Sequence, residues 1–281
     1  MIKEERYIKL DGETSLFSQI KEVGSNTWIV MTHGIAEYSS RHQYLLRLFP
    51  ENRNIFLYDL RGHGKSSGKR GYIEDFSVYI DDLRKVLTYL KTDFRMKRYF
   101  LVGHSMGALI TASFMQQWRD EDNLPYPEKV FLSSPPVGVD DLLGKFLMMS
   151  PKMLSLLHQV KQSIALGGMV SAKKLSHDGR VYQQFISDDL NLKKLHTKLL
   201  LSLLVQAKET FARPLNLKCP LAASVGTDDT IVSVEAFRDY FKNIEKNAEL
   251  LFVEEGLHEL HNEVEIYRKK YFKFLTNFLL N

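Results

Sequence analysis

The chain has 281 residues, 44% of them hydrophobic, and its 38 basic and 34 acidic side chains leave a formal net charge of +4. That content excludes a disordered chain, and the length suits one sizeable core with room for an insertion. No apolar run is long enough to span a membrane and residues 1–7 (MIKEERY) carry no signal-type apolar stretch, so a soluble cytoplasmic protein is expected. The single cysteine, Cys219, precludes an internal disulfide and a cysteine-based metal cluster. Set before Pro220 at the start of an apolar run, it is expected to be a buried structural thiol.

In chain order, a hairpin is expected over about residues 5–20, followed by a buried strand at 27–32 (TWIVMT). Residues 54–59 (NIFLYD), 98–103 (RYFLVG), 129–133 (KVFLS), 221–226 (LAASVG) and 249–254 (ELLFVE) repeat that strand pattern. Between them lie stretches of helical period. Phe76, Ile80, Leu83, Leu87 and Leu90, for example, share one helix face. Alternating strand and helix predicts an α/β fold, with a mostly parallel central sheet, helices on both faces, and ligands at the carboxyl ends of the strands.

The alternation breaks over 137–213. Runs at 142–149 (LLGKFLMM), 153–157 (MLSLL) and 199–205 (LLLSLLV) read as helix, with no convincing strand. The segment follows the strand that ends near 133–136 (SSPP), where a cap would fold over the active edge of the sheet. The expected organisation is therefore a core of residues 1–136 and 214–281 with a helical cap, 137–213, inserted. The insertion holds eleven basic and six acidic side chains, a net of +5 that leaves −1 for the remainder. Scattered basic residues without interleaved aromatics exclude nucleic acid as partner. A solvated helical surface explains them by default, and contact with an anionic membrane is the sharper reading. No internal repeat or low-complexity linker is present.

The most informative motif is Gly103-His104-Ser105-Met106-Gly107, set between a strand-like run and a helical one. It predicts a nucleophile elbow, in which Ser105 sits on a strained strand-to-helix turn and the flanking glycines leave room where a Cβ would collide. A serine hydroxyl needs a base, and the base an orienting carboxylate, in the chain order Ser, Asp or Glu, His. His33, His42, His63 and His104 precede the serine, and His158, His177 and His196 fall in the insertion. His258 and His261 remain. His258 follows a strand by a short loop and is the expected base, whereas His261 reads as entering the final helix and projecting elsewhere. After the strand at 221–226, Asp229 is the expected acid, with Asp228 facing solvent or capping a helix. Oxyanion donors are expected from the backbone amides of Met106, at the helix start, and of Ile35, in the loop after the first buried strand. His33 reads as a loop-shaping residue. Residues 61–68 (RGHGKSSG) lack phosphate-loop spacing, and the histidines show no metal-ligand spacing, so no metal and no cofactor is expected.

Residues 33–41 (HGIAEYSSR), 59–68 (DLRGHGKSSG), 103–107 (GHSMG), 226–229 (GTDD) and 255–258 (EGLH) together resemble the monoacylglycerol lipase and lysophospholipase branch of the α/β-hydrolases, over nearly the whole chain. The resemblance implies an α/β-hydrolase fold with a helical cap and a Ser105, Asp229, His258 triad. It further implies Ile35 and Met106 as oxyanion donors, and hydrolysis of esters bearing one long acyl chain. It places Glu37 and Arg41 in the loop beside the polar end of the site, as substrate-binding residues. Tyr38 stands where histidine is frequent in the family, and Ala108 where a further glycine is frequent. The expected function is a serine carboxylic ester hydrolase that releases a fatty acid from monoacylglycerol-like or lysophospholipid substrates through an acyl-enzyme. A general carboxylesterase or peptidase of the same fold is the alternative within catalysis, and a silent hydrolase-fold binding protein the alternative outside it.

Overall fold

Side chains alternating along the central strands divide the interior in two. The structure, a computed structural model, describes residues 4–49, 51, 53–118, 120, 123–138, 163–168 and 171–281. Strands β1 (Glu4–Asp11), β2 (Thr14–Lys21), β3 (Thr27–Thr32), β4 (Asn54–Tyr58), β5 (Arg98–His104), β6 (Lys129–Ser133), β9 (Leu221–Gly226) and β10 (Ala248–Val253) form one sheet, in the order β1-β2-β4-β3-β5-β6-β9-β10. The first two make an antiparallel hairpin, and β2 joins β4 antiparallel. Every pairing from β4 to β10 is parallel.

On β3 and β5, Trp28, Val30, Tyr99 and Leu101 enter one core, while Ile29, Met31, Phe100 and Val102 enter the other. A strand buried on both faces carries no polar alternation, which is why these runs read as continuously apolar. Helices α2 (Ser77–Asp93) and α3 (Met106–Gln116) cover the first face, with Leu83, Leu87 and Ile110 fully buried. Helices α1 (Tyr44–Leu48) and α7 (Glu265–Leu280) cover the second with Tyr44, Leu45, Tyr271 and Leu275.

Residues 171–213 contribute α4 (Gly179–Ser187) and α5 (Thr197–Thr210), and their apolar side chains continue the first core. Helix α5 is tied to α3 by Ser113 Oγ and Thr210 Oγ1, 2.8 Å apart. Contrary to the purely helical reading of this insertion, β7 (Ala165–Gly167) and β8 (Lys194–His196) form a small antiparallel ribbon. Three-residue strands are too short to print a period of two, and all of β7 is exposed. The runs at 142–149 and 153–157, with Lys145, Lys152 and Lys161, lie outside the described residues. Helix α6 (Val234–Asn243) completes the core beside β9 and β10. Cys219 is half-buried rather than buried, and burial pushes its thiol up to about 11, far from a reactive thiolate. No helix among the described residues is long and apolar enough to cross a membrane.

Candidate active site

Strand β5 delivers the chain into a turn with Ser105 at its apex, at φ 52° and ψ −119°. This is the left-handed region that side chains avoid, and the surroundings hold it there. A Cβ on Gly103 would lie 2.5 Å from the Gly107 carbonyl oxygen, and one on Gly107 only 2.0 Å from that of Thr32. The strand and helix therefore close on each other more tightly than any other residue allows. The Ser105 amide donates to the Ser133 carbonyl (2.9 Å), which fixes the elbow to β6, and Ser134 Oγ donates to the His258 carbonyl (2.9 Å). The end of β6 thus ties down both the serine turn and the histidine loop.

His258 sits in the loop after β10 and is 4% exposed. Its Nδ1 donates to Asp229 Oδ2 (2.7 Å), while Asp229 Oδ1 accepts from the amides of Ile231 (2.8 Å) and Val232 (3.1 Å). One carboxylate oxygen is spent on its own loop and the other is aimed at the imidazole. Asp228 is exposed and Asp229 buried, so the two adjacent carboxylates take separate environments. Burial alone would disfavour the imidazolium, yet Asp229, and at longer range Glu259 and Glu37, raise the His258 pKa above its ordinary value.

Ser105, His258, Ile35 and Met106 line one narrow cavity of about 60 Å³. The remainder of its wall is mainly apolar, with Leu175, Phe185, Leu195, Leu200 and Leu203 from the insertion facing Ile231 and Val232 from the core. The amides of Ile35 and Met106 have no hydrogen-bond partner among the described residues. By contrast, the neighbouring amide of Gly34 donates to Glu37 Oε1 (2.5 Å), so that amide is taken while the Ile35 N–H beside it stays available to a ligand.

Glu37 lines this cavity, and its Oε1 is engaged by the protein itself. Besides Gly34 it accepts from His42 Nε2 (3.0 Å), and its Oε2 lies 3.3 Å from Arg41 Nε. Burial favours the neutral acid, but His42, with His104 and Arg41 beyond it, holds the carboxyl well below the usual range. Arg41 also pairs with Glu259, the residue after His258. Glu37 and Arg41 therefore brace the loop, and Arg41 faces a second cleft rather than this cavity. His33 plays a similar part. Its Nε2 accepts from the Leu60 amide (2.8 Å) and its Nδ1 donates to the Gly34 carbonyl (2.7 Å). In the loop after β4, Asp59 accepts from the amides of Ser39 (2.8 Å) and Lys65 (2.7 Å), which makes that loop a brace for the region around Tyr38.

His261 lies in a one-turn 3-10 helix, Leu260–Asn262, ahead of α7 rather than at its entry. It is buried against His42 and His104, with ring centroids 4.5 Å and 4.8 Å away. Glu37, His42 and His261 each bring a possible ligand atom within 4.8 Å of the others. The hydrogen bond between Glu37 and His42, and the Arg41 guanidinium on the same carboxylate, suit Glu37 and His42 to a polar network and oppose a cation.

Several residues that pattern reading left unmarked hold the site together. Glu263 is fully buried and accepts from the amides of Leu257 (2.9 Å) and Val264 (2.9 Å), and from His177 Nδ1 (2.9 Å). It joins the histidine loop to the insertion. The Glu259 amide donates to the Leu175 carbonyl (2.8 Å), and Tyr38 Oη donates to Asp188 (2.6 Å). No local signal marks these long-range pairs, since their partners lie more than 80 residues apart in the chain.

A family model described as "Serine aminopeptidase, S33" (Hydrolase_4) matches residues 25–265. The chain is 28% identical over 241 residues to the phospholipase YtpA of Bacillus subtilis, covering 84% of this chain and 89% of that protein. It is 27% identical over 240 residues to a monoacylglycerol lipase of Mycolicibacterium smegmatis, covering 84% and 82%. Among solved structures, the monoacylglycerol lipase of Paleococcus ferrophilus superposes with a TM-score of 0.80 at 22% identity, over 94% of this chain and 98% of that one. A soluble variant of the Saccharomyces cerevisiae monoglyceride lipase, in complex with a substrate analog, gives 0.82 at 17% identity, over 99% and 95%. These two structures bear on the fold, an α/β-hydrolase. With the family model spanning most of its length, the chain belongs to the Hydrolase_4 (serine aminopeptidase, S33) family, as an α/β-hydrolase of the monoacylglycerol lipase branch.

Proposed function

We propose that the protein hydrolyses carboxylic esters of single-chain lipids, monoacylglycerol-like or lysophospholipid, through an acyl-enzyme on Ser105. The observation that carries this reading is Ser105 on its strained turn, sharing an apolar cavity with a His258 imidazole that is bound to Asp229. Ser105 Oγ attacks the ester carbonyl as His258 Nε2 takes its proton, and the amides of Ile35 and Met106 receive the oxyanion. The carbon–oxygen bond to the alcohol breaks as His258 returns the proton to it. Water, deprotonated by the same nitrogen, then attacks the acyl-enzyme, and the proton passes back to Ser105 as the fatty acid leaves. Asp229 holds the tautomer with Nδ1 protonated and stabilises the transient imidazolium.

Residues 137–213 act as a cap in this reading, supported by the side chains that 171–213 place over the cavity. An acyl chain would have to spread Phe185, Leu200 and Leu203, because the cavity is narrow. The names of the relatives favour a lipid over a peptide, although the family description keeps a peptidase of the same fold as the second reading. We also place the cap against an anionic membrane. Ile164 (68% exposed) and Ile186 (44%) are apolar side chains on its surface, on the same segment as the excess positive charge.

Fluorophosphonate labelling tests the activated serine, and a panel of monoacylglycerols, lysophospholipids, short nitrophenyl esters and aminoacyl amides tests the substrate. Labelling at Ser105 with turnover of long-chain monoesters is expected. Turnover of the amides alone would replace the lipid reading with the peptidase one, and an unlabelled serine would leave only a binding protein.

A further inference from the structure

Arg41 lines a second cleft that shares no lining residue with the Ser105 cavity and has a volume of about 550 Å³. That is within the range of roughly 300–1,000 Å³ usual for small-molecule sites. Its wall carries three guanidiniums, those of Arg41, Arg47 and Arg268. Arg41 is committed to Glu37 and Glu259. Arg47, exposed, and Arg268, half-buried, form no ion pair or side-chain hydrogen bond with any described residue. Asp178 and Glu265 feel the charge of Arg268 without pairing with it. Asp188, the acid of this wall, is occupied by Tyr38 Oη and the Leu190 amide.

The wall adds neutral groups. His261 is 2% exposed and lines the cleft with its ring, which carries no charge there because burial beside His42 and His104 keeps it neutral. Asn262 also lines the cleft, and its Nδ2 gives only one hydrogen to Glu259, which leaves the second for a ligand.

We propose that this cleft binds a phosphate-type anion. Two guanidiniums unpaired among the described residues offer forked donors for its oxygens, and the second Asn262 amide hydrogen supplies a neutral donor. The anion belongs either to a small free phosphate ester or to the head group of a lipid. Arg41 links the cleft to the Ser105 cavity, because its two carboxylate partners hold the Gly34 amide on one side and adjoin His258 on the other. Occupancy is thus felt at both ends of the site.

The test is calorimetric titration of the full chain with inorganic phosphate and with sn-glycerol 3-phosphate at fixed ionic strength. Wild type is expected to bind glycerol 3-phosphate at one site, the R47Q/R268Q pair at least tenfold more weakly, and the R47K/R268K pair close to wild type. No binding to wild type, or equal binding by the Gln pair, overturns the proposal. Should the Gln pair fail to fold, phenylglyoxal labelling of wild type decides. Glycerol 3-phosphate is expected to shield the Arg47 and Arg268 peptides, and equal labelling with and without it overturns the site. The ratio of kcat/KM for oleoyl lysophosphatidic acid to that for monooleoylglycerol then separates the sources. A ratio that falls in the Gln pair assigns the site to a lipid head group, and an unchanged ratio with lost glycerol 3-phosphate binding assigns it to a free phosphate ester. Because binding is read without turnover, failure of this site leaves the ester hydrolase reading untouched, and the reverse.

Discussion

His258 Nδ1 and Asp229 Oδ2 are 2.7 Å apart, and the other oxygen of that carboxylate is held by the amides of Ile231 and Val232. An acid fixed so firmly can orient the imidazole but cannot be replaced by its exposed neighbour. Asp229→Asn should therefore lower kcat by about 10³- to 10⁴-fold by imposing the wrong tautomer. Asp228→Asn should stay within about threefold of wild type, a difference set by its exposure. Ser105→Ala and His258→Ala should each abolish acyl-enzyme formation, and the double variant should be hardly worse, since groups acting as a unit are non-additive. Burst kinetics with a nitrophenyl ester reads all five proteins. An inactive Asp228→Asn beside an active Asp229→Asn would reverse the assignment.

The raised pKa of His258 sets the pH dependence. A general base works only when neutral, so kcat/KM should fall as pH drops through a value above the ordinary 6.5. Asp229 is the main group opposing burial, so Asp229→Asn should move the acid limb of its residual activity downward. His261, pushed well below the ordinary value, should contribute no limb, and His261→Gln should retain that of wild type. The same shift links pH to stability. The native state holds this proton more tightly than the unfolded chain, so the contribution is complete below about pH 6.5 and is lost as pH rises through the native pKa. A limb that stays in place in Asp229→Asn would show that another group titrates.

At Gly107 a methyl group would sit 2.0 Å from the Thr32 carbonyl oxygen and 2.5 Å from that of His33, backbone atoms that cannot turn aside. Gly107→Ala should push α3 off β3 and displace the loop bearing the Ile35 amide. A stability loss of about 1–3 kcal/mol or more is expected from such overpacking, with a large loss of kcat. Gly179, with open space around its Cβ position, is the control. Gly179→Ala should be neutral or stabilise by up to about 1 kcal/mol. Thermal melts of the two variants make the comparison.

Glu263 accepts three backbone or side-chain N–H groups at 2.9 Å in a fully buried position. Glu263→Gln turns one acceptor oxygen into a donor that faces other donors, which leaves at least one buried N–H unpaired at about 1–3 kcal/mol each. Because one of those amides is that of Leu257, beside His258, kcat should fall several-fold with little change in KM. A variant that melts lower with kcat intact would reduce Glu263 to a purely structural strut.

What could be read from the chain follows from how local each cause is. Strands β3, β5 and β6 were legible because burial on both faces leaves an unbroken apolar run, and the elbow because steric closure at Gly103 and Gly107 admits no other residue. Ser105, Asp229 and His258 could be singled out by order along the chain, and the structure brings Asp229 and His258 into contact. The ribbon of β7 and β8 was not legible, since three exposed residues carry no period. Nor was the Arg41–Glu259 pair, whose partners are far apart in sequence and individually resemble any surface charge. His261 was misplaced because its residue type shows a helix entry and not the two imidazoles waiting in the core.

Membrane contact is the expectation that combines composition with an exposed surface. Ile164 and Leu166 project from the insertion, and a shallow groove lined by Ile186, Leu192 and Leu195 adjoins the Ser105 cavity through Phe185. Apolar groups at such a mouth would enter the lipid interface, and the surplus of basic residues would meet anionic head groups. Each Lys or Arg close to that surface contributes up to about 1 kcal/mol, screened over about 10 Å at 0.1 M salt. Charge reversal of Lys145, Lys152 and Lys161 to Glu should therefore reduce sedimentation with phosphatidylserine vesicles at least tenfold at low salt. Turnover of a soluble nitrophenyl ester should be spared, because that substrate never has to leave a bilayer. Ile164→Ser with Ile186→Ser should weaken binding to neutral vesicles as well, which charge reversal should not. Equal sedimentation of wild type and both variants would mean that the basic surface of the insertion faces water alone.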